Sequence, residues 1–143
     1  MLPVGDLKIL VVEDDDNVRR LLAEHLAEQV PVVVDSARDG VEALHKISTS
    51  DYDVVILDLM MPKMSGTDLL DSLRALTSDP SVKNLERPPA VLVITAAPVA
   101  ALPDELIDKH CPGVVRGVFR KPLDVVLLAA SVKKHLRYDP ARR

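Results

Sequence analysis

The chain has 143 residues, which suits one domain, and 48% of them are hydrophobic, ample for a core. A net charge of −4, from 18 basic and 22 acidic residues, argues against a surface built to hold nucleic-acid phosphates, and 2% aromatic content leaves no base-stacking platform and requires an aliphatic core. Cys111 stands alone, which excludes an internal disulfide or a cysteine-rich zinc site and is consistent with the cytosol.

The opening Met1-Leu2-Pro3-Val4-Gly5-Asp6 has no basic and apolar succession of a signal peptide, and residues 1–6 read as a disordered lead. Ile9-Leu10-Val11-Val12 is a continuous apolar run, strand-like, ending in the acids Glu13-Asp14-Asp15-Asp16. Neighbouring carboxylates repel, so this edge needs a cation or ample water. Asp16 or Asn17 is placed to cap a helix on which Val18, Leu21, Leu22 and Leu26 recur inward, with Arg19, Arg20, Glu24 and Glu28 facing elsewhere. A short strand over 32–34 comes next, where Pro31 at its start suggests an edge position or an irregular beginning; 36–40 is a turn. Val41, Ala43, Leu44 and Ile47 line a second helix. Val54-Val55-Ile56-Leu57 reads as a strand covered on both faces, and it delivers Asp58 to its end before a loop punctuated by Pro62 and Gly66.

A third helix over 67–76 turns Leu69, Leu70, Leu73 and Leu76 inward, and residues 77–89 form a long polar connection with room for a helical turn over 81–85. The run 90–94 is a fourth strand ending in Thr95-Ala96-Ala97. It is the most apolar region, yet it is too short and too broken by Thr95 and Pro98 to span a bilayer. A short helix over 103–109, a weaker strand over 114–119 leading to Lys121-Pro122, and an amphipathic helix over 125–136 complete the alternation. Five strands alternating with five helices, without period-two polarity in the strands, imply an α/β fold with a parallel sheet covered on both faces. Right-handed crossovers bring all strand exits to one edge: Glu13 and Asp14, Asp58, Thr95 and Lys121.

Three carboxylates from two strand ends call for a hard divalent cation, and magnesium is the natural one, since it accepts one or two carboxylates plus phosphate oxygens. Lys121 supplies a mobile cation for phosphoryl oxygens and Thr95 a hydroxyl donor. Asp58 is then the nucleophile, able to take a phosphoryl group as an acyl phosphate.

On the motifs Ile9 to Asp15, Asp58-Leu59-Met60-Met61-Pro62-Lys63-Met64-Ser65-Gly66, Ile94-Thr95-Ala96 and Arg120-Lys121-Pro122, the chain resembles the receiver domain of bacterial two-component response regulators, in their chemotaxis-regulator-like form. The resemblance implies a flavodoxin-like, doubly wound five-stranded parallel sheet of order 2-1-3-4-5 with five helices. The receiver domain would be 7–138, with a flexible tail at 139–143. The resemblance further implies phosphorylation of Asp58 by a histidine kinase or a histidine phosphotransfer protein. Asp14, Glu13, Asp58 and the Met60 carbonyl would bind Mg2+, with Mn2+ able to substitute, and Thr95 and Lys121 would hold phosphoryl oxygens. Movement of Thr95 would report to a downstream protein target through the fourth helix, fifth strand and last helix. The location implied is cytoplasmic, and homodimers through the fourth-helix surface are allowed, though no residue argues for them.

Several positions depart from the family. Val118 stands where an aromatic switch residue is common, with Phe119 on the opposite face, so the output surface is expected to respond by helix movement. Leu123 comes after the lysine-proline pair where phenylalanine is frequent. Met60 and Ala97 flank the path of attacking water and cannot orient it through a polar group, so self-dephosphorylation is expected to be slow. The His25, His45, His110 and His135 side chains suggest no ligand cluster. The short tail after Leu136 has no room for a DNA-binding module, so the expectation is a single-domain regulator acting by protein contact, or a piece of a hybrid kinase or longer regulator. The competing reading is a receiver fold used only as a docking scaffold, without phosphorylation. A true phosphatase would need a second acid where Met60 stands, and a turnover enzyme is not expected.

Overall fold

The structure, a computed structural model, describes residues 7–82 and 87–136. Strands and helices alternate as β1 (Lys8–Val12), α1 (Asp16–Gln29), β2 (Val33–Ala37), α2 (Gly40–Thr49), β3 (Val54–Asp58), α3 (Gly66–Thr77), β4 (Ala90–Thr95), α4 (Asp104–Asp108), β5 (Val115–Arg120) and α5 (Val125–His135). All pairings are parallel, as the alternation implied, and the sheet order is β2-β1-β3-β4-β5, as the resemblance implied.

The strands read as unbroken apolar runs because both sheet faces are covered. Leu10, Val12, Val55, Leu57, Val91 and Val93 point to the side of α2, α3 and α4, meeting Ala43, Ile47, Leu69, Leu73 and Ile107. Ile9, Val11, Val54, Ile56, Leu92 and Ile94 point to the other side, against Leu22 and Leu26 of α1 and Leu128 and Val132 of α5. Each such side chain contributes about 1.5–3 kcal/mol by leaving water. All five residues of β3 are buried, Asp58 included, so the strand runs one residue past its expected end.

Side-chain caps start four of the helices at the sheet's carboxyl edge: Asp15 for α1, Asp39 for α2, Ser65 in a capping box with Asp68 for α3, and Asp124 for α5. The cap of α1 is therefore Asp15, not Asp16 or Asn17: its Oδ1 accepts the N–H groups of Asn17 and Val18. The strand expected over 32–34 lies instead at Val33–Ala37, because pairing with β1 extends it through Asp35 and draws Ser36 and Ala37 out of the expected turn. As an edge strand it tolerates Asp35, whose Oδ2 accepts the Tyr52 hydroxyl at 2.8 Å.

Leu21 and Val41, expected inward, face solvent at 61% and 59% exposure, since the stripe is completed by Leu22 and Leu26 on α1 and by Ala43 and Ile47 on α2. Arg19, expected to face away, folds back so that Nη1 donates to the Glu13 carbonyl at 3.0 Å. Gly66 allows α3 to start directly against the strand-end backbone: a Cβ there would lie 2.6 Å from Leu59 Cα. Lys63 turns the loop after β3, with φ of 66°.

The helical turn expected over 81–85 falls largely on residues 83–86, and these, with the lead 1–6 and the tail 139–143, lie outside the described residues. No described helix is long and apolar enough to cross a membrane.

Candidate functional site

The exits of β1, β3, β4 and β5 converge, so the sequence-predicted residues fall at one edge of the sheet. Glu13 is fixed by its own backbone. Its N–H donates to the Ala37 carbonyl at 3.1 Å and its carbonyl accepts from Arg19. That turns the Glu13 carboxylate inward, where it is 1% exposed, while Asp14 beside it is exposed. Oxygen atoms of Glu13, Asp14 and Asp58 lie within 4.8 Å of one another, and no histidine joins this group among the described residues.

Asp58 is held at both oxygens. Oδ1 accepts the backbone N–H of Met60 at 3.0 Å, and Oδ2 accepts from Lys121 Nζ at 3.4 Å. Lys121 Nζ also stands 3.7 Å from Glu13 Oε1. One ammonium thus faces two nearly buried carboxylates, which leaves the cluster short of positive charge. Glu13 shows the deficit. Burial, then the hydrogen bond and charge of Asp58, push its carboxyl up to about 8. Burial opposes the Lys121 charge, but Asp58 and Glu13 outweigh it and raise its pKa. Glu13 Oε2 is buried without a hydrogen-bond partner. An orphaned carboxylate oxygen, two further acids within reach and an exposed approach at Asp14 fit a hard divalent cation with oxygen ligands.

Thr95 is fully buried, and its Oγ1 accepts the N–H of Ala97 at 3.1 Å. Its backbone carbonyl accepts the N–H of Lys121 at 2.8 Å, so β4 and β5 remain joined at the site. Val118 packs with the α2–α4 side of the core and Phe119 with the α1–α5 side, so the lone phenylalanine of the chain is turned away from Thr95, as alternation required. Met60 is 62% exposed at the mouth of the site.

Three contributors carry no signal in the linear sequence. The Met60 N–H is a backbone group without a residue signature. Arg19 has the spacing of a helix-surface charge. Arg120, visible only as part of a motif, makes hydrogen bonds to Ala97, Leu102 and Asp104. A carboxylate, a cation and an acidic cation pocket within one notch, with a hydroxyl at the neighbouring strand end, suit transfer of a phosphoryl group to Asp58.

The family model for the response regulator receiver domain matches residues 9–133. The transcriptional activator protein IrlR of Burkholderia pseudomallei is 34% identical over 139 residues, covering 95% of this chain and 53% of that protein. The chain thus spans about half the length of that curated relative. Chemotaxis protein CheY-3 of Vibrio cholerae is 33% identical over 129 residues, covering 90% of this chain and 91% of that one. Among solved structures, the response regulator TrrA of Thermotoga maritima, described as a complex with Mg2+ and BeF, aligns with a TM-score of 0.71 and 31% identity over 91% of this chain and 99% of that one.

Proposed function

The chain belongs to the response regulator receiver family, and from that premise we propose that it is a phosphoacceptor switch whose acceptor is Asp58. The observation that carries this reading is the double anchoring of the Asp58 carboxylate by the Met60 N–H and Lys121 Nζ, beside an acid cluster with an orphaned oxygen. The receiver unit is taken as residues 7–138.

Glu13, Asp14, Asp58 and the Met60 carbonyl would hold Mg2+, or Mn2+ in its place. Such an ion supplies positive charge that offsets the clustered carboxylates and the incoming phosphoryl oxygens. The residues of the chain do the rest. The Met60 N–H and Lys121 fix the orientation of the Asp58 carboxylate, which lowers the entropic cost of in-line attack. An Asp58 oxygen forms the bond to phosphorus as the phosphorus–nitrogen bond of a phosphohistidine donor breaks, and the electron pair leaves with the imidazole. Lys121 shifts from the carboxylate to the phosphoryl oxygens, and the Thr95 hydroxyl donates to another. The donor is a sensor histidine kinase or histidine phosphotransfer protein, the reader a downstream protein, and the place of work the cytoplasm. The product is a signalling state rather than a released metabolite.

Incubation with acetyl phosphate and Mg2+, followed by intact mass, tests the proposal. One added phosphate is expected on the wild type and none on Asp58→Asn. A wild type that gains nothing would be a docking scaffold instead.

A further inference from the structure

Thr95, Ala97, Arg120 and Lys121 form a closed ring. The Ala97 N–H donates to Thr95 Oγ1 at 3.1 Å, the Ala97 carbonyl accepts from Arg120 Nη1 at 2.9 Å, Lys121 is the next residue after Arg120, and the Lys121 N–H donates to the Thr95 carbonyl at 2.8 Å. Both residues proposed to meet phosphoryl oxygens belong to this ring, Thr95 through its hydroxyl and carbonyl and Lys121 through its backbone N–H. Thr95 and Arg120 are register partners on adjacent parallel strands, so their side chains leave the sheet on the same face, toward α4.

The second guanidinium nitrogen of Arg120 reaches out of the ring. Nη2 donates to the Leu102 carbonyl at 2.8 Å and to Asp104 Oδ1 at 2.6 Å. Asp104 is the first residue of α4, and Pro103 before it offers no side-chain cap. The N-terminal end of α4 is therefore moored through Arg120. The other end is moored near His110, whose Nδ1 lies 2.7 Å from Asp71 Oδ1 on α3. The planar fork of a guanidinium spreads donors over two terminal nitrogens, so one side chain grips Ala97 on one side and Leu102 with Asp104 on the other, a span that a compact ammonium or an apolar side chain lacks.

We propose that Arg120 is a positioning residue that transmits the state of Thr95 to α4, taking over the coupling for which Val118 is too small. The inference rests on the phosphorylation of Asp58 proposed above. When the Thr95 hydroxyl turns to a phosphoryl oxygen, its bond from Ala97 is altered. Ala97 is gripped at its other side by Arg120, so the displacement reaches Leu102 and Asp104 without any aromatic side chain. The link is polar and short-ranged, and it runs through a two-sided contact on one residue rather than along a packed path.

Hydrogen exchange of residues 97–108, before and after phosphorylation with acetyl phosphate and Mg2+, tests this on the full chain, with intact mass scoring the phosphate. In the wild type, phosphorylation should alter exchange at 102–108 by about fivefold or more, the lower range of ordinary coupling. In Arg120→Met the phosphate should still be gained, while the change at 102–108 falls below about twofold and the change at Ala97 persists. Asp104→Asn, an exposed substitution that leaves the ring intact, should shrink the α4 response in the same direction, and it decides the matter if Arg120→Met does not fold. The proposal is overturned if either variant keeps the wild-type ratio between the two states, even where exchange is faster in both, since that is what a merely structural tie would give. A wild type that takes phosphate without any change at 102–108 overturns it as well. Failure of the wild type to take phosphate instead defeats the phosphoacceptor reading on which it rests.

Discussion

Lys121 Nζ lies 3.7 Å from Glu13 Oε1, yet the other oxygen of that carboxylate is buried with no partner. The ammonium is shared with Asp58, so it neutralises Glu13 only in part. Burial and Asp58 hold the Glu13 carboxyl up at about 8, against an ordinary 4.5. Between those values the folded chain keeps a proton that the unfolded chain has lost. Stability in the absence of divalent cations is therefore full below the lower value and declines as pH rises through the window. Thermal melts in EDTA should show Tm falling from pH 4.5 to about pH 8, and added Mg2+ should restore more stability at the upper end than at the lower. Glu13→Gln should flatten the EDTA profile.

Lys121 is the one basic group paired with Asp58 among the described residues. Lys121→Met keeps the length and removes the charge. Removing a preorganised charge of this kind costs on the order of a hundredfold in rate, so phosphorylation by acetyl phosphate should slow by about that factor while Mg2+ still binds. A rate within about twofold of wild type would mean that Lys121 has no part in the transfer.

Gly66 sits where α3 passes against Leu59 and the Asp58 carbonyl, and a Cβ would meet Leu59 Cα at 2.6 Å. Backbone atoms of a buried strand end cannot step aside cheaply. Gly66→Ala should destabilise by about 1–3 kcal/mol in urea unfolding, despite alanine's better helix propensity.

Met60, 62% exposed at the mouth of the site, offers no polar group to a water approaching Asp58. The acyl phosphate should therefore be long-lived, and Met60→Asn should hasten its loss by about tenfold through better orientation of that water. Rapid loss in the wild-type protein, tracked by intact mass over time, would contradict the premise.

The parallel, doubly covered strands and the convergence of Glu13, Asp14, Asp58 and Lys121 at one sheet edge were legible because each depends on sequence-local signals: apolar runs, helix periodicity and the residue types at each strand exit; the strand order came from the family resemblance. The faces of Val118 and Phe119 were legible for the same reason, since strand alternation is a local rule. The features that were not legible depend on tertiary partners. Asp35 and Ser36 carry turn chemistry, yet β1 draws them into β2. Leu21 fits the helical stripe, yet Leu22 and Leu26 fill the available surface and leave it outside. Arg19 and Arg120 have the look of surface charges, because nothing in the linear order reveals that the Glu13, Ala97 and Leu102 carbonyls await donors.

The most direct test of the central claim is chemical mapping of the phosphorylated residue. Borohydride reduces an aspartyl phosphate to homoserine, which peptide mass spectrometry locates. After treatment with acetyl phosphate and Mg2+, homoserine at position 58 and nowhere else is the expected result. Homoserine at another acid, or phosphate retained by Asp58→Asn, would contradict the assignment of Asp58 as the acceptor.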